Sequence, residues 1–162
     1  WLLLTKRPEN VKGMTPWRDV WPRNVWLGTT TENQKYYDAR AKVLASIPAA
    51  VRFLSCEPLL GPITLDKELR VDWVIVGGES GTRARPMEVE WARNLREQCK
   101  SVGAAFFFKQ WGVWGPQIHG VQDHRAVRLA RLGKKVAGRE LDGRTWDDVP
   151  HSPTAVLDLS HK

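Results

Sequence analysis

Residues 77 to 85 read Gly-Gly-Glu-Ser-Gly-Thr-Arg-Ala-Arg, which puts bare backbone, a carboxylate, a hydroxyl and two guanidinium groups into one short segment. Glycine lets the backbone approach a ligand closely. A glutamate such as Glu79 can accept hydrogen bonds from ribose hydroxyls or an ammonium. Arg83 and Arg85 can grip a carboxylate or phosphate. Four other places join an apolar run to polar residues in the same way: Thr5-Lys6-Arg7, Thr29-Thr30-Thr31-Glu32-Asn33, Cys56-Glu57 and Lys109-Gln110. Each has a plainer reading beside the chemical one. Lys6 can belong to a solvated loop, Glu32 can complement a helix dipole, and Gly77-Gly78 can be an ordinary turn. Glu57, directly before Pro58, is harder to set aside, because a charge at the end of a buried strand needs a partner or water. Lys109 follows three phenylalanines and either pairs with Glu57 or Glu79 or binds a ligand anion.

The apolar runs that carry these groups are Trp1–Thr5, Val25–Thr29, Val51–Ser55, Trp73–Gly77 and Ala104–Phe108. Most are continuous rather than alternating, the pattern of parallel strands buried on both faces. The connections fit parallel pairing. In the second crossover Thr31 and Gln34 have capping-box spacing. Tyr36, Val43, Leu44 and Ile47 then recur at helical spacing until Pro48. In the fourth, Val89, Ala92, Leu95, Cys99 and Val102 share one face, Glu88 and Glu90 sit at the positive end, and Gly103 suits a left-handed terminator. The first crossover, rich in proline, and the third, with Pro58 and Pro62, hold one short helix each at best. The expected fold class is α/β: a partial (β/α) TIM-like barrel, or an open parallel sheet of about five strands, over residues 1–112. A closed eight-stranded barrel takes at least about 200 residues. In any parallel sheet the strand C-termini share one edge, so the polar residues following each strand converge there.

The chain has 162 residues, a net charge of +7 and a pI near 9.7. That balance favours anionic partners, either small molecules or nucleic acid. Nine tryptophans can be core residues or a base-stacking platform. No run is long and apolar enough for a membrane helix, and the start has no signal-peptide pattern, so a cytoplasmic location is expected. Two cysteines, Cys56 and Cys99, have no metal spacing and are expected to be reduced thiols. His119 and His124 are too isolated to suggest zinc, so no metal site is expected. Residues 113–150 are expected to form an irregular or hairpin extension. The turn signal is Asp142-Gly143 in a hairpin over "RLGKKVAGRELDGRTW", made basic by Lys134, Lys135, Arg139 and Arg144. Residues 151–162 are expected to be a disordered tail. The chain does not begin with Met and opens on strand-like residues, which reads as a truncated protein. The cut sheet edges are expected to recruit a second copy into a homo-oligomer.

The ordered segments "LLLTKRPENV", "NVWLGTTTENQ", "AAVRFLSCEPLLGPI", "DWVIVGGESGTRARPM", "FFFKQWG" and "GRELDGRTWDDVP" resemble an uncharacterised family of phage and bacterial proteins. That family carries a three-cysteine motif and looks like radical S-adenosylmethionine enzymes. The resemblance implies that a full-length protein has an upstream cysteine cluster holding a [4Fe-4S] centre and binds S-adenosylmethionine. This chain has no such cysteine run, so the part present would hold no cluster and by itself be inactive. The cofactor-facing candidates are Thr29, Thr30, Thr31, Glu32, Glu57, Gly77, Gly78, Glu79 and Ser80. The substrate-facing candidates are Lys6, Arg83, Arg85, Lys109 and Gln110. Reaction and substrate are left open, and the alternative reading is a basic nucleic-acid-binding module without catalysis.

Overall fold

The computed structural model describes residues 1–17, 20–117 and 128–150. Strands β1 (Leu2–Thr5), β2 (Trp26–Thr30), β3 (Arg52–Cys56), β4 (Trp73–Gly77) and β5 (Ala105–Gln110) form one sheet in sequence order, and every pairing is parallel. Strands β2 to β4 are continuous apolar runs covered on both faces, whereas β1, at the sheet edge, alternates exposed and half-buried residues. All five residues of β3, for example, are buried.

Helices α2 (Gln34–Ala45) and α3 (Val89–Val102) fill the second and fourth crossovers. Tyr37, Ala41 and Leu44 of α2 and Ala92, Leu95 and Cys99 of α3 join one core with Leu27, Leu54, Cys56, Val74, Val76, Phe106 and Phe108. These strand residues alternate along the strands and so share one sheet face, which is the face both helices cover. The opposite face carries a chain of aromatic rings. Trp73 meets Trp26, Phe53 and Phe107 with ring centroids 6.1, 5.8 and 5.9 Å apart. Phe53 lies across Gly28, where a Cβ would fall 2.2 Å from its ring.

The sheet does not close into a barrel. The outer edge of β5 is taken by residues 146–148: Phe108 N donates to Trp146 O at 2.9 Å and Asp148 N to Phe106 O at 3.2 Å. Among the described residues no strand pairs with the outer edge of β1. No helix among them is long and apolar enough to cross a membrane.

Helix α3 follows its sequence pattern, ending where Gly103 takes φ 73° and its N–H returns to Cys99 O. Helix α2 departs from it. The cap is Asn33, whose side chain accepts from Tyr36 N, instead of Thr31. Thr31 cannot cap because its hydroxyl is buried against Cys56 Sγ, 3.3 Å away. Gln34, freed from a capping box, accepts from Thr64 N at 2.6 Å and donates to Asp38 at 2.7 Å. The buried face uses Tyr37, not Tyr36, which stays outside and stacks on Arg40. The first crossover has a 3-10 turn at Pro8–Asn10 and the one-turn helix α1 (Val11–Met14). The third has no helix and is tied down by Tyr37 and Gln34.

Beyond β5, β6 (Trp114–Pro116) and β7 (Leu129–Arg131) make a small antiparallel sheet, followed by the short helix α4 (Lys134–Ala137). Of the expected hairpin only the Leu141–Arg144 bridge forms, across Asp142 at φ 55° and Gly143 at φ 77°. The Lys134–Ala137 stretch is helical because it is released from the turn and folds against β6. The tail at 151–162, His119 and His124 lie outside the described residues.

Candidate functional site

Parallel registers carry the C-terminal ends of all five strands to one edge, so the polar residues predicted to converge do share it. At its centre Glu57, just past β3, accepts from Ser55 Oγ at 3.4 Å and pairs with Lys109 Nζ at 2.8 Å. The Glu57–Pro58 peptide is cis. The register shifts between Val76 and Gly77, so Gly77 pairs with Gln110 and Lys109 is the extra residue of the bulge. Bulges of this kind re-aim side chains beside sites. Between the two partners lies Gly77, where a Cβ would sit 3.1 Å from Glu57 Oε2. The Gln110 side chain follows, and its Oε1 is buried with no hydrogen-bond partner.

At the β1–β2 end, Glu32 is held by Lys6 and, at 3.1 Å, by Arg40 from α2. Burial raises the Glu32 carboxyl, but the hydrogen bond from Lys6, its own backbone N–H and the two cations outweigh this and leave it below the usual carboxylate range. Arg40 also donates to Thr30 O at 2.7 Å. Thr29 and Thr31 are fully buried. Thr29 Oγ1 donates to Thr5 O at 2.9 Å and Thr31 faces Cys56, so both hydroxyls are committed to the fold.

On the far side of Gly77, Glu79 is gripped by Arg85 through Nε at 2.9 Å, Nη2 at 2.8 Å and the backbone N–H at 2.8 Å. The Arg85 side chain, then its N–H, bring the Glu79 carboxyl down to about 2. Gly78 is pressed against the backbone after β5: a Cβ there would lie 1.8 Å from Trp111 O. Ser80 and Arg83 are exposed, and Arg83 has no ion-pair partner among the described residues.

The site therefore splits into three charge groups: Lys6–Glu32–Arg40, Glu57–Lys109 and Glu79–Arg85. Of the expected cations, Lys109 takes Glu57 and Arg85 takes Glu79. Three contributors were not anticipated. Arg40 stands one turn after Tyr36 on a helix leaving the strand edge, a spacing that could have pointed to it. Ser55 was read only as strand. Gly112, at φ 83°, lets the chain pack on Glu79, whose carbonyl accepts from Val113 N at 2.9 Å. A cavity of about 320 Å³ between α2 and the third crossover is lined by Gln34, Tyr37, Asp38, Lys42 and Asp66, and by none of the candidate residues.

Among the described residues no three His, Cys, Asp or Glu side chains cluster as metal ligands. Cys56 and Cys99 are buried free thiols, each pushed up to about 12, mainly by burial. Two thiols are fewer than the set of cysteine thiolates that holds an iron–sulfur cluster, so by themselves they do not fit one. No curated protein and no solved structure matches the chain. A family model does, over residues 1–150, and the chain accordingly belongs to DUF5131, a family of proteins of unknown function.

Proposed function

We propose that the surface around Glu57, Gly77, Gly78, Lys109 and Gln110 binds a zwitterionic small molecule. The motif resemblance supplies the named candidate, S-adenosylmethionine. The observation that carries this reading is the Glu57–Lys109 pair laid across Gly77. Lys109 is more than half exposed, with 56% side-chain accessibility, and pairs of this kind contribute about 0–1 kcal/mol. An ammonium can replace Lys109 at Glu57 while the same ligand's carboxylate takes Lys109, and no charge is left unpaired. Bare backbone at Gly77 lets the ligand approach, and Gln110 Oε1 offers an acceptor that the fold leaves unused. Bound S-adenosylmethionine would supply a sulfonium-activated carbon. Glu57 and Lys109 would orient its amino-acid end, and Lys6, Glu32, Thr30 and Ser80 would fix the electrostatics around it. The exposed edge of β1, with Leu2 and Leu4 57% and 54% exposed, takes a second copy of the chain under the same proposal.

Calorimetric titration with S-adenosylmethionine, S-adenosylhomocysteine and methionine tests the reading. Saturable binding that weakens at least about tenfold in Glu57→Gln and in Lys109→Met is expected. Absence of heat with all three ligands at about 1 mM, in a protein shown to be folded, removes the proposal.

A further inference from the structure

We infer that the small β6–β7 sheet and its neighbours form a docking strip for the phosphate backbone of a nucleic acid. Several acids are matched to bases: Arg85 has Glu79, Arg139 has Asp147, and Arg93 and Arg96 share Asp142. One short segment gathers cations without such partners. Arg128, Arg131, Lys134 and Lys135 are all exposed, the sequence from 128 to 138 contains no acid, and none of the four pairs with a described carboxylate.

A fifth cation is fixed beside them by hydrogen bonds. Arg131 Nη2 donates to Thr82 O at 2.6 Å, and Trp114 Nε1 donates to Ala84 O at 2.7 Å. The backbone on both sides of Arg83 is therefore tied to the β6–β7 sheet, and Arg83 is exposed with no carboxylate partner among the described residues. Five cations with no carboxylate partner among the described residues stand on one small, hydrogen-bonded platform, where like charges repel. A polyanion relieves that repulsion and releases its own counterions.

The strip is joined rigidly to the strand edge. Leu132 N and Gly133 N both donate to Val113 O, and Trp111 N donates to Gly138 O at 3.1 Å. Gly112 packs on Glu79. The backbone that carries Lys109 and Gln110 continues into the strip, and nucleic acid as the substrate class of the proposed site rests on that reading.

The indoles nearby do not offer a stacking platform. Trp114 and Trp146 are half-buried with their N–H groups committed, and Arg96 and Arg144 cover the Trp146 ring. Recognition is through phosphate, independent of base sequence.

Fluorescence anisotropy with short labelled single-stranded DNA, RNA and duplex DNA tests the strip in the whole chain. Five phosphate contacts to a single strand give a salt slope of about −3.5, so affinity falls on the order of 100-fold between about 50 and about 200 mM salt. The variant R83Q/R128Q/K134Q/K135Q keeps Arg131 and its carbonyl bonds. It is expected to retain its melting temperature and S-adenosylmethionine heat while its affinity drops at least about tenfold and its slope shrinks to about −0.7. No binding at about 50 mM salt overturns the inference, as does unchanged affinity in the variant. Association with phosphatidylserine vesicles in place of nucleic acid also overturns it. Because ligand titration is read separately, loss of the strip and loss of the small-molecule site give different results.

Discussion

Lys109 Nζ lies 2.8 Å from Glu57 Oε2 although their strands, β5 and β3, are not neighbours: β4 runs between them. The bridge passes over Gly77, the one place on β4 with no side chain to block it. Backbone economy at Gly77 and charge placement at Glu57 and Lys109 are one feature of the fold.

From this follows a contrast between stability and binding. Removing Lys109 leaves Glu57 with Ser55 Oγ and water, since Glu57 keeps 19% side-chain exposure. Lys109→Met is expected to change unfolding free energy by less than about 1 kcal/mol. Ligand affinity, which uses both charges, is expected to fall at least about tenfold. Denaturant melts and calorimetry on the single and double variants check this. A stability loss comparable to a core deletion would mean the pair serves folding alone.

The two adjacent glycines are expected to differ sharply on substitution. At Gly78 a Cβ would meet the Trp111 carbonyl oxygen at 1.8 Å and cannot be relieved by a side-chain move. At Gly77 the nearest atom, 3.1 Å away, is the end of the Glu57 side chain, which can shift. Gly78→Ala is expected to cost about 3 kcal/mol or more, at the severe end for a point change. Gly77→Ala should cost about 1 kcal/mol or less and act mainly by turning Glu57 away from Lys109. Equal melting temperatures for the two variants would contradict the packing described.

Acid should loosen the segment after β4 late. Glu79 titrates at about 2 instead of 4.5 because Arg85 holds its charged form. A depressed carboxylate gives stability that is complete above its ordinary value. Between about pH 4.5 and about pH 2 the unfolded chain binds the extra proton, so stability rises with pH in that window and is flat above it. The protection factor of the Arg85 amide, which donates to Glu79 Oε2, is expected to hold down to about pH 4.5 and to fall below it. In Glu79→Gln that pH dependence should disappear. Much of the pair is in water, so added salt should weaken the effect.

How far the sequence disclosed this molecule depended on the physics at each point. Strands β2 to β4 were legible because two-sided burial writes continuous apolar runs, β1 and β5 because their apolar runs have the same length although parts of them are exposed, and α3 because its apolar residues keep a helical period up to Gly103. The start of α2 was not, since Thr31 and Asn33 are both good caps and only the Cys56 contact decides between them. The candidate residues could be assigned to one edge from topology alone. Their pairing could not: Lys109 had two acids within plausible reach, and the bulge that separates it from Gln110 has no signature in the residues themselves. Arg40 had a usable signal in its spacing after Tyr36, but its pairing with Glu32 depends on where α2 leaves the sheet.

The two thiols give a final check on the core. Cys56 is fully buried at the end of β3 against Thr31, and Cys99 is buried on α3. Burial pushes both up to about 12, so at neutral pH almost no thiolate exists and little surface is open to attack. The native protein is expected to show no reaction with Ellman's reagent, and both thiols should react once denaturant unfolds it. Cys99→Ala removes little volume and should cost about 1 kcal/mol. Cys56→Ser places a second hydroxyl beside Thr31 in an apolar setting and should cost more. Rapid labelling of the folded chain would place at least one sulfur at the surface and contradict the packing of β3 against α2 and α3, on which the position of Glu57 depends.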